Sequence, residues 1–169
     1  MGMNACSYNG EESSFDGTIN YEIDTSGIPK DTIDFNAPGL TYKNGRYYLS
    51  GEKYSGIVHK KQIGFNIVTY SSVYKGMLHG TYSSYYSNGK VFERRMYRNN
   101  LSLGKQLGYW EETGNLKFEY NYYNDKKEGL QQAWRQNGSL YRNFEVHNGI
   151  RYGLQKTTTC YELEAEEIK

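Results

Sequence analysis

The sequence predicts an all-β, single-domain protein, built as an array of antiparallel β-hairpin repeats of about 24 residues that forms an elongated, twisted open sheet. The first observation is composition. The 169 residues include 19 Gly and 19 Tyr but only 2 Pro, which favours short strands and tight turns over helices. The other two observations are a glycine period and an alternation of apolar with polar residues. No apolar run approaches the roughly 18–20 residues that a membrane-spanning helix needs.

Two series of glycines recur in step, at intervals of 24 or 25 residues. The residue types between them recur as well, so each unit is predicted to be strand, turn, strand and loop. A hairpin of this length cannot bury a face alone, but hairpins side by side in an array can. The structural repeat glycines are Gly64, Gly89, Gly114 and Gly138 in one series, and Gly80, Gly104, Gly129 and Gly153 in the other.

The Asn-Gly pairs at residues 88–89 and 137–138 are predicted to form the tight turn of each hairpin. Asn and Gly both tolerate the positive φ angles that two-residue hairpin turns require. The segments around the second glycine series are predicted to form the wider loops. Those loops contain Gly76, Asn100, Asp125 and Gly149.

Alternation is clearest over residues 116–122, where apolar and polar residues have a period of two. This period predicts a strand with one apolar and one polar face. The apolar set is Leu116, Phe118, Tyr120 and Tyr122, and the polar set is Lys117, Glu119 and Asn121.

Charge and periodicity divide the chain into three parts. Residues 1–38 carry a net charge of −6 and lack a period, which predicts an acidic, flexible N-terminal tail. Residues 39–160 carry 18 bases and 8 acids, a net charge of +10, and form the predicted repeat domain. Within it, residues 40–56 are predicted to be a degenerate capping unit and residues 153–162 a closing strand. Residues 161–169, with a net charge of −3, form an acidic C-terminal tail.

The basic repeat domain favours anionic partners, which include acidic proteins, nucleic acid and anionic lipid. Two alternatives remain open. The acidic tails neutralise the domain, or the charges serve to keep strand edges soluble.

The segments Tyr85–Val91, Asn124–Gly129 and Trp134–Leu140 resemble the bacterial variant of the MORN repeat. Proteins built from such repeats are often labelled antitoxins of the YwqK type. The resemblance covers residues 40 to about 160, with Asn100 and Asp125 standing where glycine is usual. It implies an open sheet of consecutive hairpins and a role in protein–protein or membrane-proximal scaffolding. It carries no catalytic residues.

No catalytic, cofactor or metal site is predicted. The three histidines, His59, His79 and His147, fall at different places in the repeat, which gives little support to a shared metal or acid–base site. Glu111 and Glu112 are neighbours on a predicted strand, so their side chains point to opposite faces. No phosphate-binding loop or nucleophile motif occurs.

Tyr85, Trp110 and Trp134 each stand four residues before a turn glycine and are predicted to form one aromatic column. The column is either a ladder that holds successive hairpins together or a partly exposed groove that binds a partner. Its candidate charged complement is Arg94, Arg95, Arg98, Arg135 and Arg142.

The function predicted on this basis is a non-enzymatic protein-binding module, with an antitoxin or immunity role as one specific form. One alternative is an envelope scaffold, because Met3-Asn4-Ala5-Cys6 resembles the end of a bacterial lipobox and makes Cys6 a lipidation candidate. The location is then the bacterial envelope rather than the cytoplasm. Another alternative is a basic surface that binds nucleic acid or anionic lipid, and nucleic acid is the less favoured of these ligands. A Cys6–Cys160 disulfide and edge-to-edge homo-oligomers stay open.

Overall fold

The computed structural model describes residues 21–153 and confirms the all-β prediction. This range contains no helix, and therefore none that is long and apolar enough to cross a membrane. The strands are β1 Thr32–Asp34, β2 Leu40–Lys43, β3 Arg46–Leu49, β4 Glu52–Lys53, β5 Gly56–Gln62, β6 Ile67–Tyr74, β7 Met77–Tyr86, β8 Val91–Arg98, β9 Leu101–Ser102, β10 Gly104–Tyr109, β11 Leu116–Tyr123, β12 Lys126–Trp134, β13 Leu140–His147 and β14 Ile150–Tyr152.

Most strands belong to one large open sheet with the order β1-β5-β6-β7-β8-β10-β11-β12-β13-β14. From β5 onward each strand is antiparallel to the next strand in this order. The short β9 lies outside the order and pairs with β8. At the far edge, β1 pairs with β5 in parallel. Strands β2, β3 and β4 form a separate small sheet. The consecutive hairpins expected from the glycine period are therefore present.

Alternation along the strands defines two faces of the large sheet. The inner face carries the well-buried side chains, such as Val58, Val73, Ala133 and Phe144. The outer face carries the side chains between them, such as Tyr70, which is 40% exposed. Predicted apolar residues such as Phe118 lie on the inner face, opposite Ala133 of the neighbouring strand.

The prediction of which turns are tight was wrong. The two-residue turns are Lys75-Gly76, Asn99-Asn100, Asn124-Asp125 and Asn148-Gly149, and both residues of each have positive φ. This geometry matches the right-handed twist of the flanking strands, and Asn and Asp adopt it at small cost. The turns at Asn88-Gly89 and Asn137-Gly138 are longer. Tyr86 N–H donates to Lys90 O, Arg135 N–H donates to Ser139 O, and only the glycine of each pair has positive φ.

Asn100 and Asp125, which depart from the glycine pattern, connect successive hairpins. Asn100 Oδ1 accepts a hydrogen bond from Leu78 N–H at 2.7 Å, and Asp125 Oδ1 accepts one from Ser102 N–H at 2.5 Å. The equivalent Gly76 has no room for a side chain, because a Cβ there would lie 2.9 Å from a backbone oxygen of the small sheet. Asn or Asp is therefore present where the turn bonds to a neighbouring hairpin, and Gly is present where the small sheet packs against the turn.

The small sheet packs on the inner face of β5 and β6. Tyr54, Val58 and Val73 form the buried core cluster there, and Leu49 and Tyr47 of the small sheet pack against it. Residues 40–53, predicted as part of a capping unit, are thus a second layer over one end of the array. At the opposite end, β14 stops at Tyr152. The remainder of the predicted closing strand, residues 154–162, lies outside the described residues.

The predicted tail boundary at residue 38 does not hold for residues 21–38. Residues 32–34 pair with β5, and the segment before them crosses the outer face of β7 and β8. His79 Nε2 lies 3.1 Å from Asp24 O, and Arg98 donates to Glu22 O at 2.6 Å. The backbone itself supplies these acceptors, so the segment needs no periodic pattern in its sequence. The rest of the predicted tail, residues 1–20, lies outside the described range, as does the tail at 161–169.

Candidate functional site

The predicted aromatic column is only partly correct. Tyr85 and Trp134 occupy equivalent positions, since each pairs with the first residue of the following strand, but Trp110 does not. Tyr109 takes the equivalent position and pairs with Leu116. The turn between Tyr109 and Leu116 is one residue longer than the equivalent turns. The residue four positions before Gly114 is therefore Trp110, one position after the true equivalent.

The aromatic residues at these turns hold successive hairpins together. Trp110 Nε1 donates to Trp134 O at 3.2 Å, and Tyr86 Oη donates to Tyr109 O at 2.8 Å. Trp110 and Tyr86 each span one repeat in this way. These contacts correspond to the ladder interpretation of the aromatic residues.

The five candidate arginines do not converge on one surface. Arg94 and Arg95 are neighbours on β8 and therefore point to opposite faces. Arg98 binds the segment at residues 21–28, Arg135 lies in a turn over the Tyr141 ring, and Arg142 donates to Tyr120 Oη at 3.0 Å on the inner face. Of the predicted set, the outer face of the central strands holds Tyr85, Arg94 and Arg98, and Arg98 is bonded there to Glu22 O.

A cavity of about 700 Å³ lies on the outer face between the central strands and Tyr21, and we call it the outer groove. Tyr85, Met96 and Leu107 supply apolar lining, and Arg94 supplies a cation. The further lining residues are Thr81, Tyr82, Ser83, Arg95, Gly104, Lys105 and Asn121.

The charge of the outer groove is positive. Lys105 Nζ lies 2.6 Å from Glu119 Oε1, whereas Arg94, an exposed residue, forms no ion pair with any residue in the range 21–153. Burial and the nearby Glu128 carboxylate raise the pKa of the Tyr21 hydroxyl at the groove wall, so it stays neutral. An uncompensated guanidinium beside apolar side chains is suited to an anionic group that carries apolar neighbours.

A second cavity, of about 320 Å³, lies on the inner face, and we call it the inner cavity. It contains the ion pair between Arg95 and Glu93, with Nη2 2.7 Å and Nε 2.9 Å from the same carboxylate oxygen. Burial works to lower the pKa of Arg95, but the bonds to Glu93 outweigh it and raise that pKa, so the guanidinium stays charged. Phe118, Tyr120 and Tyr122 form an aromatic wall.

Gln106 also lines the inner cavity and is only 4% exposed. Its amide nitrogen donates to Met96 O at 3.1 Å and to Leu103 O at 3.2 Å. Its amide oxygen has no hydrogen-bond partner among the described residues. Gln131, one repeat later, has the same arrangement but does not line the cavity.

The histidines are spread over the sheet as the sequence predicted. His147 lies between two carboxylates, with Nδ1 3.1 Å from Glu128 Oε1 and Nε2 2.9 Å from Glu145 Oε1. Burial works to lower its pKa, but these two carboxylates outweigh burial and raise the pKa above its ordinary value. Within residues 21–153 no group of three or more potential metal ligands is present. Cys6 and Cys160 lie outside the described residues, so lipidation and a disulfide stay predictions.

Glu93, Gln106 and Tyr21 were not predicted as site residues. Glu93 could have been found from the sequence. Residues 93 and 95 are charged, whereas the equivalent strand positions of the next unit hold Phe118 and Tyr120. Tyr21 was not detectable, since its segment has no period.

Comparison of the chain with protein-family models, with curated proteins and with solved structures finds no match. The outer groove and the inner cavity are therefore the features on which a function has to rest.

Proposed function

We propose that this chain is a non-enzymatic protein-binding module, which holds an acidic segment of another protein in the outer groove. The observation that carries the proposal is the position of Arg94, which lies without an ionic partner among the described residues beside Tyr85, Met96 and Leu107. Tyr and Arg are the residue types that anchor protein interfaces when they lie next to apolar surface.

Charge complementarity argues for an acidic partner. Residues 21–153 carry 18 bases and 12 acids, a net charge of +6, which steers an acidic protein toward the sheet and raises its association rate. The groove volume of about 700 Å³ has room for several side chains of such a segment. An antitoxin or immunity role is one form of this function, in which the module covers the active surface of its partner.

The test begins with a pull-down from native-host lysate, with the full chain as bait at low and high salt, followed by mass spectrometry and a nucleic-acid stain. The captured protein is then purified, and its affinity is measured for the parent chain and for Tyr85→Ala and Arg94→Glu. Lys53→Glu, on the exposed edge of the small sheet, is the matched control.

We expect one stoichiometric partner at high salt, with affinity reduced at least about tenfold by each groove variant and unchanged by the control. Equal affinity for all variants would place binding elsewhere and overturn the proposal. Capture of polyanions alone, lost at high salt, would indicate a basic surface for nucleic acid or anionic lipid instead.

A further inference from the structure

The inner cavity and the outer groove lie on opposite faces of the same strands, and Arg95 is in the lining of both. Its place in the array makes it unusual. Glu93 and Arg95 point inward where the preceding unit has Thr69 and Ser71. Those two positions have no ionisable side chain, so the sheet does not need a charged pair there to fold.

A charged pair in this position adds little to the stability of the fold, which favours a role other than stabilisation. Removing ions from water has a free-energy cost, and their mutual attraction only roughly compensates for it. The Glu93 side chain is 12% exposed and that of Arg95 is 37% exposed, so solvent reaches the pair through the arginine. Both hydrogen bonds between them use Oε2 of Glu93, which leaves Oε1 as an acceptor without a partner among the described residues.

We propose that the inner cavity binds a neutral sugar, as a single ring or a disaccharide. The charges of Glu93 and Arg95 cancel, so the cavity favours a ligand without net charge. The side chains offer both hydrogen-bond acceptors, at Glu93 and Gln106, and donors, at Arg95. Hydroxyl groups supply the complementary donors and acceptors from one small molecule.

The aromatic wall suits the same ligand. Phe118 and Tyr120 stack on each other with ring centroids 4.9 Å apart, and Lys127 Nζ lies 4.3 Å from the centroid of the Tyr120 ring. Tyr122, which follows on the same strand, is therefore the wall residue that can take a sugar against its ring. A sugar ring has an apolar C–H surface that packs against aromatic side chains, while its hydroxyls face the polar groups. The volume of about 320 Å³ falls at the lower end of the range for small-molecule sites, which is about 300–1,000 Å³.

The test is a titration of the isotopically labelled full chain with glucose, N-acetylglucosamine, maltose and cellobiose, followed by NMR. The Gln106 side-chain amide and the Arg95 Nε–H report on the cavity directly. We expect saturable shifts of both signals with at least one sugar, at concentrations on the order of 10 mM or below.

Three variants decide whether the shifts come from this cavity. The double variant Glu93→Gln, Arg95→Gln removes both charges together, so that neither ion is left alone, and it should weaken binding at least about tenfold. Tyr122→Phe removes one hydroxyl from the wall and provides a second, milder change. Lys53→Gln, on the exposed edge of the small sheet, should leave binding unchanged.

No saturable shift with any of the four sugars would overturn the proposal. Equal binding by the parent and the double variant would also overturn it, as would preferential binding of glutamate or inorganic phosphate over the sugars. Because the site lies on the face opposite the outer groove, each of these three results leaves the proposed protein-binding function untouched.

Discussion

The end of the large sheet that the small sheet covers and the middle units beyond it solve the same packing problem differently. Under the small sheet, Tyr54, Val58 and Val73 form the buried core cluster, and the two valines are 1% and 0% exposed. In the following units, the positions equivalent to Val58 hold Tyr82, Gln106 and Gln131. Those equivalent to Val73 hold Tyr97 and Tyr122 in the middle units and Val146, which is 4% exposed, in the last. A second layer of chain thus covers an apolar core, whereas the middle units bury glutamine side chains whose amide nitrogens bond to the backbone.

Glutamine and tyrosine suit an uncovered sheet for physical reasons. Gln131 is fully buried, yet its amide nitrogen donates to three backbone oxygens, at Asn121, Glu128 and Gly129. Tyrosine buries a large ring with few rotatable bonds and keeps one polar end. This explains a chain that folds with 19 Tyr and few aliphatic residues.

Exchanging residues between the two regions should have the largest effect. Val73→Tyr puts the residue of the middle units beneath the small sheet, where no space remains, and should lower the free energy of unfolding by about 3 kcal/mol. The reverse change, Tyr122→Val, should cost about 1 kcal/mol, because that ring is only partly buried. Denaturant unfolding measures both, and equal losses would contradict the difference between the regions.

A smaller effect is expected where a small residue makes room for an aromatic ring. A Cβ at Gly108 would lie within 2.5 Å of Phe118 Cζ, whereas the equivalent position one repeat later is Ala133. Gly108→Ala should therefore cost about 2 kcal/mol. Adding Phe118→Leu should restore part of that loss, and a double variant no more stable than Gly108→Ala alone would show that the ring is not the obstacle.

The smallest effect concerns the uncovered end, where a polar cluster holds the last hairpin. The pKa of His147 is raised in the folded chain, so the protonated form binds Glu128 and Glu145 more strongly than the neutral form does. The stabilisation is fully present below the unfolded pKa of about 6.5 and is lost as the pH rises through the raised value.

Amide hydrogen exchange of β14, measured at pH 6 and pH 8, checks this prediction. After correction for the intrinsic pH dependence of exchange, protection at Ile150 and Tyr152 should be greater at pH 6. His147→Gln should remove the difference, while Val73 and the covered end should show none in either chain. The same difference in the variant would exclude His147 as its source.

The candidate sites were predictable only in part. Tyr85 and Arg94 were among the predicted partner-binding residues and line the outer groove together. Trp110 and Arg95 were wrongly assigned to the same surface. One extra turn residue moves Trp110 out of the column, and Arg95 is one step along the strand from Arg94, so its side chain points to the other face. Sequence spacing does not reveal such single-residue shifts.

The sequence by itself determined the all-β class, the period and the hairpin order, because these depend on local chemistry. Turn residues and alternation act over a few positions and repeat along the chain. Only the tertiary structure decided which end of the sheet is covered, how residues 21–38 lie across it, and where the groove and the cavity form. Those features depend on contacts between residues far apart in sequence, such as Asn100 with Gly45 and Arg98 with Glu22, for which the repeat pattern carries no signal.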